Sequence, residues 1–129
     1  MIQELVKRWE EKKDEVRAVF EKKLPGSYKD IVTTVVDKIS AEEYGAFALD
    51  PNRITIINHG DYQGTMLFVI GEKGYSSDEF YYVKVNYGSC SGCDTLQAVL
   101  DYSDEITEEK VDGLMTLALH IVQKIKEAE

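Results

Sequence analysis

Residues 65–70 read TMLFVI and residues 80–87 read FYYVKVNY, and the way these two runs are joined decides the fold. The second run alternates. Tyr81, Val83, Val85 and Tyr87 point one way, while Phe80, Tyr82, Lys84 and Asn86 point the other. Its tyrosine rings can pack while their hydroxyls reach water or a partner. The first run is almost wholly apolar, which predicts a central strand buried on both faces. The segment between them, 71–79, is too short for a crossover, so the two strands are expected to be antiparallel. Upstream, Arg53–Asn58 (RITIIN) alternates as a third strand and reaches residue 65 through a turn at His59-Gly60-Asp61. YGAFAL at 44–49 offers a weaker edge strand, with Asp50-Pro51-Asn52 as the turn after it.

The flanks of this meander are helical. Ile2, Leu5, Val6, Trp9, Val16, Val19 and Phe20 give an apolar stripe over 2–22, interrupted around Lys12 and Lys13. That gap is either a wet turn or a place where lysine stems lie along the core edge. Leu24-Pro25-Gly26 ends the helix. Ser27 is placed to cap the next one, with Asp30 three positions on to return the bond. Its stripe is Tyr28, Ile31, Val32, Val35, Val36 and Ile39, rich in β-branched residues that only burial holds helical. After the sheet, 94–102 reads as a short helix. Thr107 then caps a last one carrying Val111, Leu114, Met115, Ala118, Ile121, Val122 and Ile125, with Ile106 and Val111 spaced as a hydrophobic staple. The expected architecture is a single α+β domain over 1–129: two N-terminal helices, a three- or four-stranded antiparallel meander, and two C-terminal helices packed on the sheet.

Composition narrows the function classes. The chain has 129 residues, 43% of them hydrophobic, enough for one core. Its 24 acidic against 15 basic residues give a net charge of −9, so a nucleic-acid partner is not expected. No apolar run is long enough to span a bilayer, and the charged start carries no secretion-type segment. Two cysteines are too few for a disulfide scaffold and suggest a reducing cytoplasm. The acid excess is densest at 101–112, where Asp101, Asp104, Glu105, Glu108, Glu109 and Asp112 face only Lys110. These acids are either a solvated surface with charges placed at a helix start or a face that docks on a basic partner.

Chemistry concentrates at Tyr87-Gly88-Ser89-Cys90-Ser91-Gly92-Cys93-Asp94. In an antiparallel meander the turn at 59–64 and this loop leave the same end of the sheet, one strand apart. His59 and Asp61 are therefore candidates to join Cys90 and Cys93 as zinc ligands, since two thiolates, an imidazole and an oxygen suit a tetrahedral ion. A thiol-redox pair is the second reading, because a CxxC at a helix start favours the thiolate. Against it, Pro25 and Pro51 both precede the loop, leaving no later proline to pack opposite the thiols, and Asp94 beside Cys93 opposes the thiolate. The third reading makes the cysteines small buried packing residues. His120 falls beside the apolar stripe of the last helix and reads as a core-edge residue. No phosphate-binding loop, HExxH, GxSxG or calcium-loop pattern is present.

The phrase YGSCSGCDTLQ, 87–97, resembles one found in small uncharacterised proteins encoded by bacteriophages, where it follows a hydrophobic strand. The resemblance covers about residues 65–100. It implies no reaction, cofactor or catalytic residue. It implies instead an accessory or counter-defence role in which a small acidic protein binds a host protein. The resulting expectation is a protein–protein binder whose surface is the polar face of the 80–87 strand, with Tyr82, Lys84 and Asn86 as contact residues, together with the cysteine loop. Trp9 reads most simply as a packing residue of the first helix, or else, with Phe20 and the tyrosines, as the seed of a homodimer interface. The alternative from another class is the zinc or thiol-redox protein built on Cys90 and Cys93.

Overall fold

The computed structural model describes residues 2–40, 49–60, 64–72, 80–87, 95–100 and 105–127. Along the chain these form α1 (Ile2–Lys22), α2 (Tyr28–Ile39), β1 (Leu49–Gly60), β2 (Gly64–Glu72), β3 (Phe80–Tyr87), α3 (Thr95–Leu100), α4 (Glu108–Lys124) and β4 (Lys126–Glu127). The strands make one antiparallel sheet in the order β1-β2-β3-β4. The fold is α+β, with two helices before the meander and two after it.

Local chemistry sets the helix starts. Ser27 has extended backbone, and its side chain accepts from the Asp30 N–H. The Asp30 carboxylate accepts in turn from the Gly26 N–H at 2.9 Å, one residue earlier than a capping box would use. The six apolar residues of the α2 stripe are all buried. Each such side chain contributes about 1.5–3 kcal/mol, which outweighs the few tenths that β-branching costs a helix. Thr107 caps α4 by accepting from the Lys110 N–H at 3.1 Å. Ile106 stays 42% exposed, so its expected staple with Val111 leaves much of it in water.

The helices gather on one face of the sheet. Phe68, Ile70, Tyr81, Val83 and Val85 are buried in one cluster with the apolar faces of α1, α2 and α4. α2 packs on β1 and α4 on β3, while α1 packs on α4 and α2. On α1, Leu5, Trp9, Val16 and Phe20 are buried. Lys12 and Lys13 fill the gap in that stripe half-exposed, with ammonium groups 3.2 Å from Glu15 and 2.8 Å from Glu10. Their stems thus lie at the core edge, as snorkelling lysines do. Trp9 at 3% and Phe20 at 1% exposure are core residues, so neither offers a surface on which a dimer could form.

Two long-range contacts tie the helices together. Arg17 of α1 donates to Asp112 of α4 at 2.7 Å, and this hydrogen bond holds the guanidinium above its ordinary pKa. The buried hydroxyl of Tyr28 accepts from the Leu96 N–H at 3.1 Å. It thereby satisfies one of the unpaired donors at the start of α3.

Two readings of the sequence change. β2 is central, yet it is buried on one face only: Phe68 and Ile70 are buried, whereas Leu67 and Val69 are half-buried. An apolar run predicts two-sided burial, but no helix covers the second face among the described residues. A further strand, β4, pairs with β3, and the expected edge strand at 44–49 is described only at Leu49. Leu49 opens β1, and residues 44–48 lie outside the described residues. Asp50-Pro51-Asn52 does not reverse the chain. It sits inside β1 as a register irregularity between Leu49, paired with Glu72, and Ile54, paired with Ile70. Its turn chemistry survives locally, because Asp50 Oδ1 accepts from the Asn52 N–H at 2.9 Å.

Candidate functional site: the open face of the sheet

Strand alternation divides the sheet residues cleanly. The face away from the helices carries Thr55 and Ile57 from β1, Leu67 and Val69 from β2, and Phe80, Tyr82, Lys84 and Asn86 from β3. Register sets them in rows. Thr55, Val69 and Tyr82 lie side by side, with Lys126 of β4 extending the row. Ile57, Leu67 and Lys84 form the next row. Ile57 is 53% exposed and Phe80 39%, which is high for side chains of this size and type.

Polar contacts organise both ends of this face. At one end Thr65 bonds Asn86 across the strand pair at 3.1 Å. At the other, the Arg53 guanidinium lies 5.6 Å from the centre of the Phe80 ring and donates to the Glu72 carbonyl at 2.6 Å. Gly71 makes that path possible. A Cβ on it would stand 2.9 Å from Arg53 Cζ and Nε, so any larger residue would displace the arginine.

The charge of this face opposes that of the chain. Arg53, Lys84 and Lys126 occupy it, and no carboxylate does at the register-paired positions facing this way, although the whole chain carries −9. Glu72 lies on the helix side, where the Tyr81 hydroxyl bonds it at 3.2 Å. In the acidic segment, Asp112 is engaged by Arg17 and the Lys110 ammonium bonds the Glu105 carbonyl, while Glu108 and Glu109 are exposed at the start of α4.

Of the residues singled out in the sequence, Tyr82, Lys84 and Asn86 share the open face. Phe80, read on that same side of the strand, joins them, and Ile57, Leu67 and Val69 complete the face; alternation in β1 and β2 could have found these three had one-sided burial been assumed. Cys90, Cys93 and Asp61 lie outside the described residues, and His59 is described by its backbone alone. His59 pairs with Thr65, which pairs with Asn86, and Gly60, Gly64 and Tyr87 form the next row. β1 and β3 therefore reach the same rim, roughly 10 Å apart across β2. Among the described residues no cluster of His, Cys, Asp or Glu could hold a metal ion. His120 is exposed on α4. No described helix is long and apolar enough to cross a membrane.

Comparisons with known proteins found no matching family model, and neither a curated protein nor a solved structure matches the chain significantly.

Proposed function

We propose that this chain is a binding protein that engages another protein through the open face of its sheet. The observation that carries the reading is the row pairing of Ile57, Leu67, Val69 and Tyr82, with Phe80 beside them, into an apolar and aromatic field in which Ile57 and Phe80 are exposed and Leu67, Val69 and Tyr82 half-buried, on a sheet whose other face holds the core. Aromatic centres with a charged rim are the composition of protein interfaces. Arg53, Lys84 and Lys126 supply that rim and favour an acidic partner, since the rest of the chain repels one. The loop phrase at 87–97, with its likeness to phage-encoded proteins, directs the search to a host protein in the cytoplasm, whose activity the bound chain would modulate.

Photo-crosslinking tests this. Val69→p-benzoylphenylalanine, expressed where the chain is naturally made, yields a discrete protein adduct, and the same substitution at Glu109 on α4 does not. No adduct from Val69, or the same adduct from both positions, overturns the reading.

A second reading is favoured by one observation, the common rim reached by Gly60 and Tyr87. In it Cys90 and Cys93, with His59 and Asp61, hold a zinc ion, or the two thiols cycle as a redox pair. Metal analysis of chain purified without zinc or chelator decides the zinc form. Near one equivalent supports it, and less than about 0.1 equivalent ends it, because a structural zinc site binds too tightly to empty on purification.

A further inference from the structure

Among the described residues β4 is Lys126–Glu127, and it pairs with Tyr82 and Tyr81 and does not run alongside Val83–Asn86. From Val83 to Asn86, β3 has β2 on one side and no described strand on the other. An unpaired strand edge is a template for a further strand. Beside this edge runs a trough. One section of about 180 Å³ lies among Tyr82, Lys84, Lys124 and Lys126. A second of about 180 Å³ is walled by Lys84 and Lys124 again and reaches Val85, His120 and Ile121. Lys84 and Lys124 line both sections, which therefore adjoin along β3.

Among the described residues no carboxylate lines either section. The three lysines are exposed, and none is ion-paired with a described residue. In a chain of net charge −9 such cations, without an ion pair among the described residues, select what approaches this strand edge. Lys124 also ends α4, where a cation is favoured by the helix carbonyls. That role accounts for neither Lys84 nor Lys126.

We propose that this trough takes an extended acidic segment of a partner protein, which adds as a strand to β3 between Val83 and Asn86 and sets its carboxylates against Lys84, Lys124 and Lys126. The proposal rests on the protein-binding reading and names the partner's chemistry. Side chains of an added strand alternate. Those on the open face stand beside Lys84, and those on the helix side stand beside Val85 and Ile121. The segment recognised therefore alternates acidic and apolar residues.

The test uses a fluorescein-labelled peptide of about eight alternating glutamates and valines, the length of an ordinary strand, titrated with the intact chain. Anisotropy should rise saturably at low salt, and the lysine–valine counterpart should not bind. Replacing Lys84, Lys124 and Lys126 together by glutamine (K84Q, K124Q, K126Q) should weaken binding about tenfold, the sum expected of three exposed charge contacts. These residues are exposed, so circular dichroism should show an unchanged fold. If the triple variant proves unfolded, the single K84Q chain takes its place and should weaken binding about twofold. Equal binding by the variant, binding of the lysine peptide, or tighter binding of a single-stranded oligonucleotide overturns the proposal. A Val69 adduct that persists unchanged in the triple variant overturns the acidic-segment proposal and leaves the binding reading standing. Absence of any Val69 adduct overturns both.

Discussion

Replacing Tyr28 by phenylalanine probes how α3 is held. The ring is 4% exposed and stays in the core, so packing is preserved. What disappears is the hydroxyl that accepts from the Leu96 N–H at 3.1 Å. That amide sits in the first turn of α3 and has no carbonyl four residues back within its helix. Left buried and unpaired, it costs about 1–3 kcal/mol. For a chain of 129 residues each kcal/mol lowers the melting temperature by roughly 3–5 °C, so Tyr28→Phe should melt a few to about fifteen degrees early. A helix of six residues has no stability of its own, so the loss should be local first. Hydrogen exchange read by NMR should show the Leu96 amide losing protection, while Val35 and Ile121 amides keep theirs relative to the new global stability. Unchanged melting with unchanged Leu96 protection would refute the argument that Tyr28 caps α3.

Other outcomes follow from packing. Phe68→Ala empties a fully buried site at the centre of the sheet and should cost about 3–5 kcal/mol by denaturant unfolding, whereas Leu67→Ala on the open face should cost clearly less. Gly113→Ala gains up to about 1 kcal/mol of helix propensity but sets its Cβ 3.0 Å and 3.2 Å from the Val99 methyls. It should therefore be neutral or destabilising alone and become stabilising in a Val99→Ala background, a coupling read by a double-mutant cycle. Arg17→Ala removes a surface pair and should lower melting by less than about 3 °C. The folded guanidinium is raised, so its contribution is complete below the ordinary arginine value and fades only as pH rises through the raised one. The Arg17→Ala deficit should thus be equal at pH 7 and pH 10.

What the sequence made legible was local. Ser27 and Thr107 announce α2 and α4 because a cap needs only neighbours three residues away, and the facing of Tyr81, Val83 and Val85 follows from strand alternation alone. What it hid was set by layers and distance. TMLFVI is equally consistent with two covered faces and with one covered face beside an apolar binding surface, since composition does not record what lies opposite. Asp50-Pro51-Asn52 has turn chemistry, yet pairing of both flanks to β2 keeps it in a strand. Lys126-Glu127 is too short and too polar to read as a strand, and that short strand brings Lys126 beside Tyr82. Lys84 and Lys124 stand forty residues apart and become neighbours only through α4 packing on β3. The candidate surface was therefore half visible, through Tyr82, Lys84 and Asn86, and its apolar field was not.

The central claim is that one sheet face is open in the free chain and covered in its working state. Methyl NMR with a soluble gadolinium chelate measures this most directly. In the free chain the methyls of Ile57, Leu67 and Val69 should broaden strongly while those of Ile70, Val83 and Ile121 do not, and the partner captured through Val69 should then shield the first set. Ile57, Leu67 and Val69 already shielded in the free chain, or a partner that shields the helices instead, would contradict it.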